Sequence, residues 1–183
     1  MNAISLMVNE HKVIKRALKI TRKLCINILK GGEVNYEAFN IIIDFVKNYA
    51  DSHHHNKEED ILFKKMSEEL GEEIAKGPIF GMLADHDLGR LFIRNLGEAL
   101  ERVKDGDEDS KVDIIANAIS YTDLLYRHID KEDNAIYKFG ERKLSKEALM
   151  EVEERCNEVE RIAEEKKIQS KYINMIEELE KRV

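Results

Sequence analysis

An all-α fold follows from three features of the sequence. Apolar residues recur at helical spacing through four long stretches and a fifth at the end. Short Gly- or Asp-rich breaks separate those stretches. Proline occurs once, tryptophan never, and 37% of residues are charged. A chain of 183 residues reads as one domain, or one domain with an appendage, and can bury a sizeable core. The expected architecture is an up-down-up-down four-helix bundle over residues 1–144 with an additional long C-terminal helix over residues 145–183.

The first helix is expected over about residues 4–30, with Met7, His11, Ile14, Leu18, Cys25 and Ile28 on one stripe. Gly31-Gly32 stops it, and Asn35 can cap the next helix. The second covers about residues 36–70. One of its stripes carries Phe39, Ile43, Val46, Ala50, His54, Glu58 and Ile61; a neighbouring stripe carries Ile41, Phe45, His55, Glu59, Leu62 and Met66. The pattern alone leaves open which stripe faces the centre. A break over residues 71–78 can hold a short helical turn.

The third helix is expected over about residues 78–104, with Leu83, His86, Ile93, Leu96 and Leu100 on its stripe and Gly89 on the same face. Asp105 to Ser110 alternates acids as a calcium loop does, but Ser110 and Ala116 stand where such a loop needs Gly and Glu. It reads as a solvated turn. The fourth helix, over about residues 111–144, carries Ile114, Ala118, Tyr121, Leu125, His128 and Glu132 on one stripe. Ser145 can cap a fifth helix reaching nearly to Val183. It contains no histidine, and is expected to brace the bundle or to make a homodimer contact.

Composition narrows the function. A net charge of −7 without a dense basic stripe argues against nucleic acid as a partner. No apolar run is long enough to span a bilayer, and charged residues interrupt the N-terminus early, so neither a membrane nor a signal peptide is expected. Cys25 and Cys156 are far apart and form no metal or disulfide pattern; Cys25 reads as a small core residue. The expected location is the cytoplasm.

The chemistry lies in two pairs. His54 is followed four residues later by Glu58, and His128 by Glu132. That spacing sets an imidazole and a carboxylate on one helix face. The two contexts match further, with Leu62-Phe63 after one pair and Ile136-Tyr137 after the other. Each of the first four helices carries at least one of the six histidines. His11 lies about 19 residues before its helix ends, His54 about 18 after its helix begins, His86 about 18 before its end and His128 about 17 after its start. At about 1.5 Å of rise per residue, each antiparallel pair brings its histidines to a common height. Histidines and glutamates on apolar stripes are costly to bury without a partner. A metal supplies one, and mixed nitrogen and oxygen ligation suits iron or another first-row transition metal.

Neighbouring residues on an α-helix point about 100° apart, so His54 and His55 are not expected to face the centre equally. The matching context favours His54/Glu58. His55/Glu59 is the rival, and Glu59 could instead accept a hydrogen bond from behind a ligand. Tyr121 is either core or a donor to a metal-bound ligand, and Arg90 pairs with a site carboxylate or lies at the surface.

At these residues the chain resembles the hemerythrin-like, or HHE cation-binding, family. The matching pieces are Glu10-His11, the stretch from His54 to Phe63, Asp85 to Arg90, and His128 to Asp133, in family order over about residues 5–140. The C-terminal helix is similar to an extension of stand-alone prokaryotic members. The resemblance implies a four-helix bundle holding two iron ions, with zinc or manganese as substitutes. His11, His54, His86 and His128 would be terminal ligands, Glu58 and Glu132 bridges, and a solvent-derived oxo or hydroxo group would complete the centre. It implies a protein that binds, senses or reacts with dioxygen or a related diatomic or peroxide ligand, more a metal- and oxygen-binding protein than a dedicated enzyme. The alternatives are a di-iron oxidase or peroxidase, nitric-oxide chemistry and iron handling. One departure bears on reversible oxygen carriage: oxygen-carrying members have a second histidine four residues after the one matched by His86, where this chain has Arg90. His55 could substitute.

Overall fold

The computed structural model describes residues 2–183, and every regular element among them is helical. Helix α1 (Ala3–Leu29) starts where the Asn2 side chain accepts a hydrogen bond from the Ser5 backbone N–H at 2.7 Å, which serves one of the amides left open at a helix start. It ends in a glycine turn. Gly31 takes φ +82°, its N–H donates to the Ile28 carbonyl, and the Gly32 N–H donates to the Asn27 carbonyl. Those two bonds close carbonyls that a helix end otherwise leaves open.

The second rod is continuous from Tyr36 to Leu70 but not uniform. Helix α2 (Tyr36–Phe45), capped by Asn35, passes into π-helical turns over Val46–His55 and again over Glu58–Phe63, before α3 (Lys64–Leu70). The Asn56 N–H bonds to the Asp51 carbonyl, five residues back. Gly71, with φ +88°, ends the rod. The third rod begins earlier than the sequence suggests: α4 (Glu72–Ile74) runs through a π turn over Ala75–Ile79 into α5 (Phe80–Lys104). Pro78 lies inside that π turn, where the amide it lacks is taken out of a widened ladder rather than ending the helix. The fourth rod is α6 (Lys111–Lys131), a π turn over Glu132–Ile136, and α7 (Tyr137–Lys143).

The single long helix expected after Ser145 is two helices. α8 (Lys146–Glu165) and α9 (Ile168–Arg182) meet at Lys167, which adopts a left-handed conformation with φ 55°. No glycine or proline marks this break.

The rods α1, α2, α5 and α6 neighbour one another in a ring, with α5 against α6 and α1 against α6 the most extensive pairings. Their apolar residues form two separate clusters. One is built from Ile14, Leu18, Phe39, Phe45, Leu96, Leu100, Ile114 and Leu125, and the other from Met7, Leu62, Phe63, Met66, Met82 and Tyr137. Between them, in every rod, sits a buried polar layer: Glu10 and His11, His53 to Glu58, His86, and His128 with Glu132. The C-terminal pair spans the same division. α8 places Ala148, Val152 and Cys156 in the second cluster, and α9 places Tyr172, Ile176 and Leu179 in the first. The break at Lys167 therefore falls at the height of the polar layer. No helix among the described residues is long and apolar enough to cross a membrane.

Candidate metal centre

The polar layer resolves into two adjoining groups of potential ligand atoms. His11, His54, Glu58 and Glu132 form one; His55, Glu58, His86 and His128 form the other, each with its ligand atoms within 4.8 Å of one another. All seven side chains are buried. Glu58 belongs to both groups. Its Oε1 lies 3.6 Å from His54 Nε2 and its Oε2 lies 3.4 Å from His86 Nε2. Glu132 spans the same gap in the same way: Oε2 is 3.3 Å from His11 Nε2 and Oε1 is 2.9 Å from His128 Nε2.

Both His54 and His55 turn inward, where the sequence favoured only one. The reason is local. A ladder closing over five residues turns the chain through a smaller angle per residue than an α-helix does. The His53–His55 run lies in such a turn, so its three rings fan across one buried sector. His54 meets His11, His55 stacks on His86 with ring centres 3.8 Å apart, and His53 faces Glu10. Adjacent histidines thus reach different groups.

Behind the rings stand carboxylates. His54 Nδ1 donates to Glu10 at 2.8 Å, His11 Nδ1 to Asp133 at 2.7 Å, and His86 Nδ1 to Glu59 at 2.7 Å. His55 and His128 face Asp51 and Asp85 more loosely, both at 3.4 Å. A carboxylate can only accept, so the three close contacts place a proton on Nδ1 of His54, His11 and His86 and turn Nε2 of each ring into the layer. Arg90 touches none of the seven side chains of the two groups. It donates to Asp51, Glu59 and Asp87 and so holds two of the supporting carboxylates in place. Cys25 lies in the first apolar cluster, away from either group.

Several contacts had no counterpart in the sequence reasoning. Tyr137 donates its hydroxyl to Glu58 Oε1 and stacks on His11; the matching Phe63/Tyr137 context was its only trace. Glu10, Asp51, Asp85 and Asp133 each sit beside a histidine in the fold. For Asp51 the signal was the four-residue spacing to His55; Glu10 and Asp85 adjoin His11 and His86 in the chain but support His54 and His128 in the fold.

The electrostatics ask for cations. Burial, and then Glu132 alongside it, pushes the Glu58 carboxyl well above its usual range. Burial works the same way on Glu132, but His128 and His11 beside it win and hold it well below. Burial lowers His54, His55 and His86 to about 4, with a neighbouring imidazole adding to the effect in each case. Those three rings are neutral and ligand-ready at neutral pH. Glu58 Oε2 and both oxygens of Glu132 are buried without a hydrogen-bond donor. His11 Nε2 and His54 Nε2 are 2.9 Å apart, and so are His86 Nε2 and His128 Nε2. Against burial, Asp133 and Glu132 raise His11, and Glu132 and Asp85 raise His128 to about 9, so each pair can share a proton that a metal ion would displace. Two nitrogens held at right angles on one transition-metal ion, each at about 2.0–2.1 Å, are themselves about 2.9 Å apart. Each of the two groups has the donors to hold a metal ion.

The sequence profile of the hemerythrin HHE cation binding domain matches residues 2–139. The chain belongs to this family. The same comparisons found no match among curated proteins and none among solved structures. The family's cation binding accords with the two buried groups, and the matched region holds every residue of both. The helices α8 and α9 lie outside the HHE match, yet their apolar residues belong to the same two clusters.

A cavity of about 160 Å³ reaches the outer faces of His55 and His86, lined also by Gly89, Arg90, Tyr121 and Leu125. The Tyr121 hydroxyl is buried without a hydrogen-bond partner. Gly89 keeps the cavity open beside it: a Cβ there would stand 3.5 Å from both Tyr121 and Leu125.

Proposed function

We propose that this hemerythrin-family protein holds two iron ions in a His/Glu centre within an alternating four-helix bundle, and that it binds, senses or reacts with dioxygen. The observation that carries the reading is the sharing of Glu58 and Glu132 between the two histidine groups. On it, His11 and His54 would hold one ion and His55, His86 and His128 the other, with Glu58 and Glu132 within reach of both. His55 takes the place left by Arg90 in the third helix. Iron supplies the reversible electron exchange that dioxygen chemistry requires, which zinc in the same ligand set would lack.

The chain's own residues then have defined tasks. The Nδ1 carboxylates orient the rings and raise their basicity. Tyr137 donates its hydroxyl to Glu58 Oε1, which holds this carboxylate in one orientation. The two apolar clusters close the layer from above and below and exclude water from it.

The test is the metal content of anaerobically purified protein, followed by absorption spectra before and after air. Two irons per chain, with charge-transfer bands that appear on oxygenation and fade on deoxygenation, are expected of an oxygen binder. Protein refilled with ferrous iron that holds no stoichiometric metal overturns the reading. A second reading, an oxidase or peroxidase, draws on the cavity at His55 and His86 and on the unpartnered Tyr121 hydroxyl, which could donate to a small oxygen ligand. Steady consumption of hydrogen peroxide by the iron-loaded protein, slowed in Tyr121→Phe, is its expected signature.

A further inference from the structure

Among the described residues, Lys57 is the one lysine with no exposed surface, and it sits inside the polar layer. Its Nζ donates to Glu10 and Glu160 and lies 3.1 Å from His53 Nε2. Glu10, His53 and Glu160 together resemble a third metal-binding group. The ammonium of Lys57 already occupies the place a cation would take, so this cluster is an internal brace rather than an ion site.

The brace is closed from the C-terminal helices. Glu160 comes from α8. Gln169, from the first turn of α9, donates to Glu10 Oε1 at 3.0 Å and to Glu160 Oε2 at 2.9 Å, and accepts from the Tyr49 hydroxyl at 3.0 Å. Glu10 Oε1 is thereby surrounded by Lys57, His53 and Gln169, while Oε2 is directed at His54 Nδ1. This support differs from that of the other rings. Asp133, Asp51, Glu59 and Asp85 are 20–29% exposed and lie in the rods themselves, whereas Glu10 is 2% exposed. Only Glu10 is tied to residues beyond the HHE match at 139.

We infer that Glu160 and Gln169 are positioning residues for one half of the metal centre: they lock Lys57 and Glu10, and Glu10 locks the His54 ring with Nε2 toward His11. This rests on the two-ion reading proposed above. The break at Lys167 serves the arrangement, since it brings the end of α8 and the start of α9 to the same height and lets both side chains enter the layer.

The experiment is a cobalt(II) titration of metal-free, full-length protein, with Glu160→Gln and Gln169→Ala compared to wild type. Cobalt-shifted imidazole resonances identify which half is filled. The expected result is a loss of at least about tenfold in affinity at the His11/His54 half in both variants, with the His86/His128 half unchanged. Glu160→Asp should recover part of the loss. Glu151→Gln, which removes an exposed pair between α8 and Lys65, should match wild type. In the metal-free protein, imidazole ¹⁵N shifts should show His54 protonated on Nδ1 in wild type and mixed between tautomers in Glu160→Gln and Gln169→Ala. Wild-type affinities and an unchanged His54 tautomer in both variants overturn the inference, as does an equal loss at both halves that follows the unfolding midpoint. If Glu160→Gln fails to fold, Gln169→Ala reads the same quantities. The ¹⁵N measurement needs no metal, so wild type that takes up no cobalt defeats the two-ion reading while the tautomer still decides this one.

Discussion

Glu58 and Glu132 are both fully buried and close to one another, and that is a stability cost in the metal-free protein. Glu58→Gln should remove it. The amide oxygen can still accept from Tyr137, and the amide nitrogen can donate to the bare oxygens of Glu132. Metal-free Glu58→Gln is therefore expected to be more stable than metal-free wild type at pH 7, by about 1–3 kcal/mol. A raised carboxyl stabilises the fold fully below its unfolded value and loses that contribution as pH rises through the folded one. The advantage of the variant should accordingly shrink as pH falls toward the ordinary value of 4.5. Urea unfolding of chelated protein at several pH values checks both points, and with metal present the order should reverse. At this scale the sequence was informative about residue types and spacing. It favoured His54 over His55 and did not place both inward, because a 100° rotation was the only geometry it offered. His54→Ala is expected to weaken the ion beside His11 and His55→Ala the one beside His86.

Among the elements, the breaks that the sequence announced are those that glycine makes and the one that Ser145 caps. Gly31, Gly71 and Gly106 all take positive φ where a helix ends. The break at Lys167 was invisible because lysine carries no turn signal, and its left-handed conformation is one that side chains with a Cβ rarely adopt. This predicts opposite effects for two substitutions. Lys167→Gly should stabilise the protein by about 1 kcal/mol, since glycine adopts that conformation without a Cβ clash. Gly31→Ala should destabilise it by about 1 kcal/mol for the converse reason. Thermal unfolding of the two variants under one metal condition measures them. The π turns were equally hidden: residue composition sets helix against strand, but a widened turn over Val46–His55, Glu58–Phe63 and Glu132–Ile136 reflects what the polar layer requires. Three of the four π turns coincide with candidate ligands, and the fourth accommodates Pro78.

For the whole molecule, the decisive feature is that two apolar clusters are separated by a charged layer rather than joined by a continuous core. Such a layer contributes little to stability by itself and more when its lone pairs are engaged. Folding and metal uptake should therefore be linked. An ion that binds only the folded chain adds RT ln(1 + [M]/Kd), or about 1.4 kcal/mol for each tenfold rise in free metal once its site is saturated. Two ions give about 2.7 kcal/mol per tenfold, twice the slope of one. Unfolding free energy measured against buffered free metal is expected to rise with the two-ion slope in wild type. In Glu160→Gln it should rise with the one-ion slope over the interval in which the weakened half is still empty, and with the full slope above it. A slope of one ion throughout in wild type would mean that Glu58 and Glu132 serve a single ion, and a flat line would mean that the layer holds its charges by protons alone.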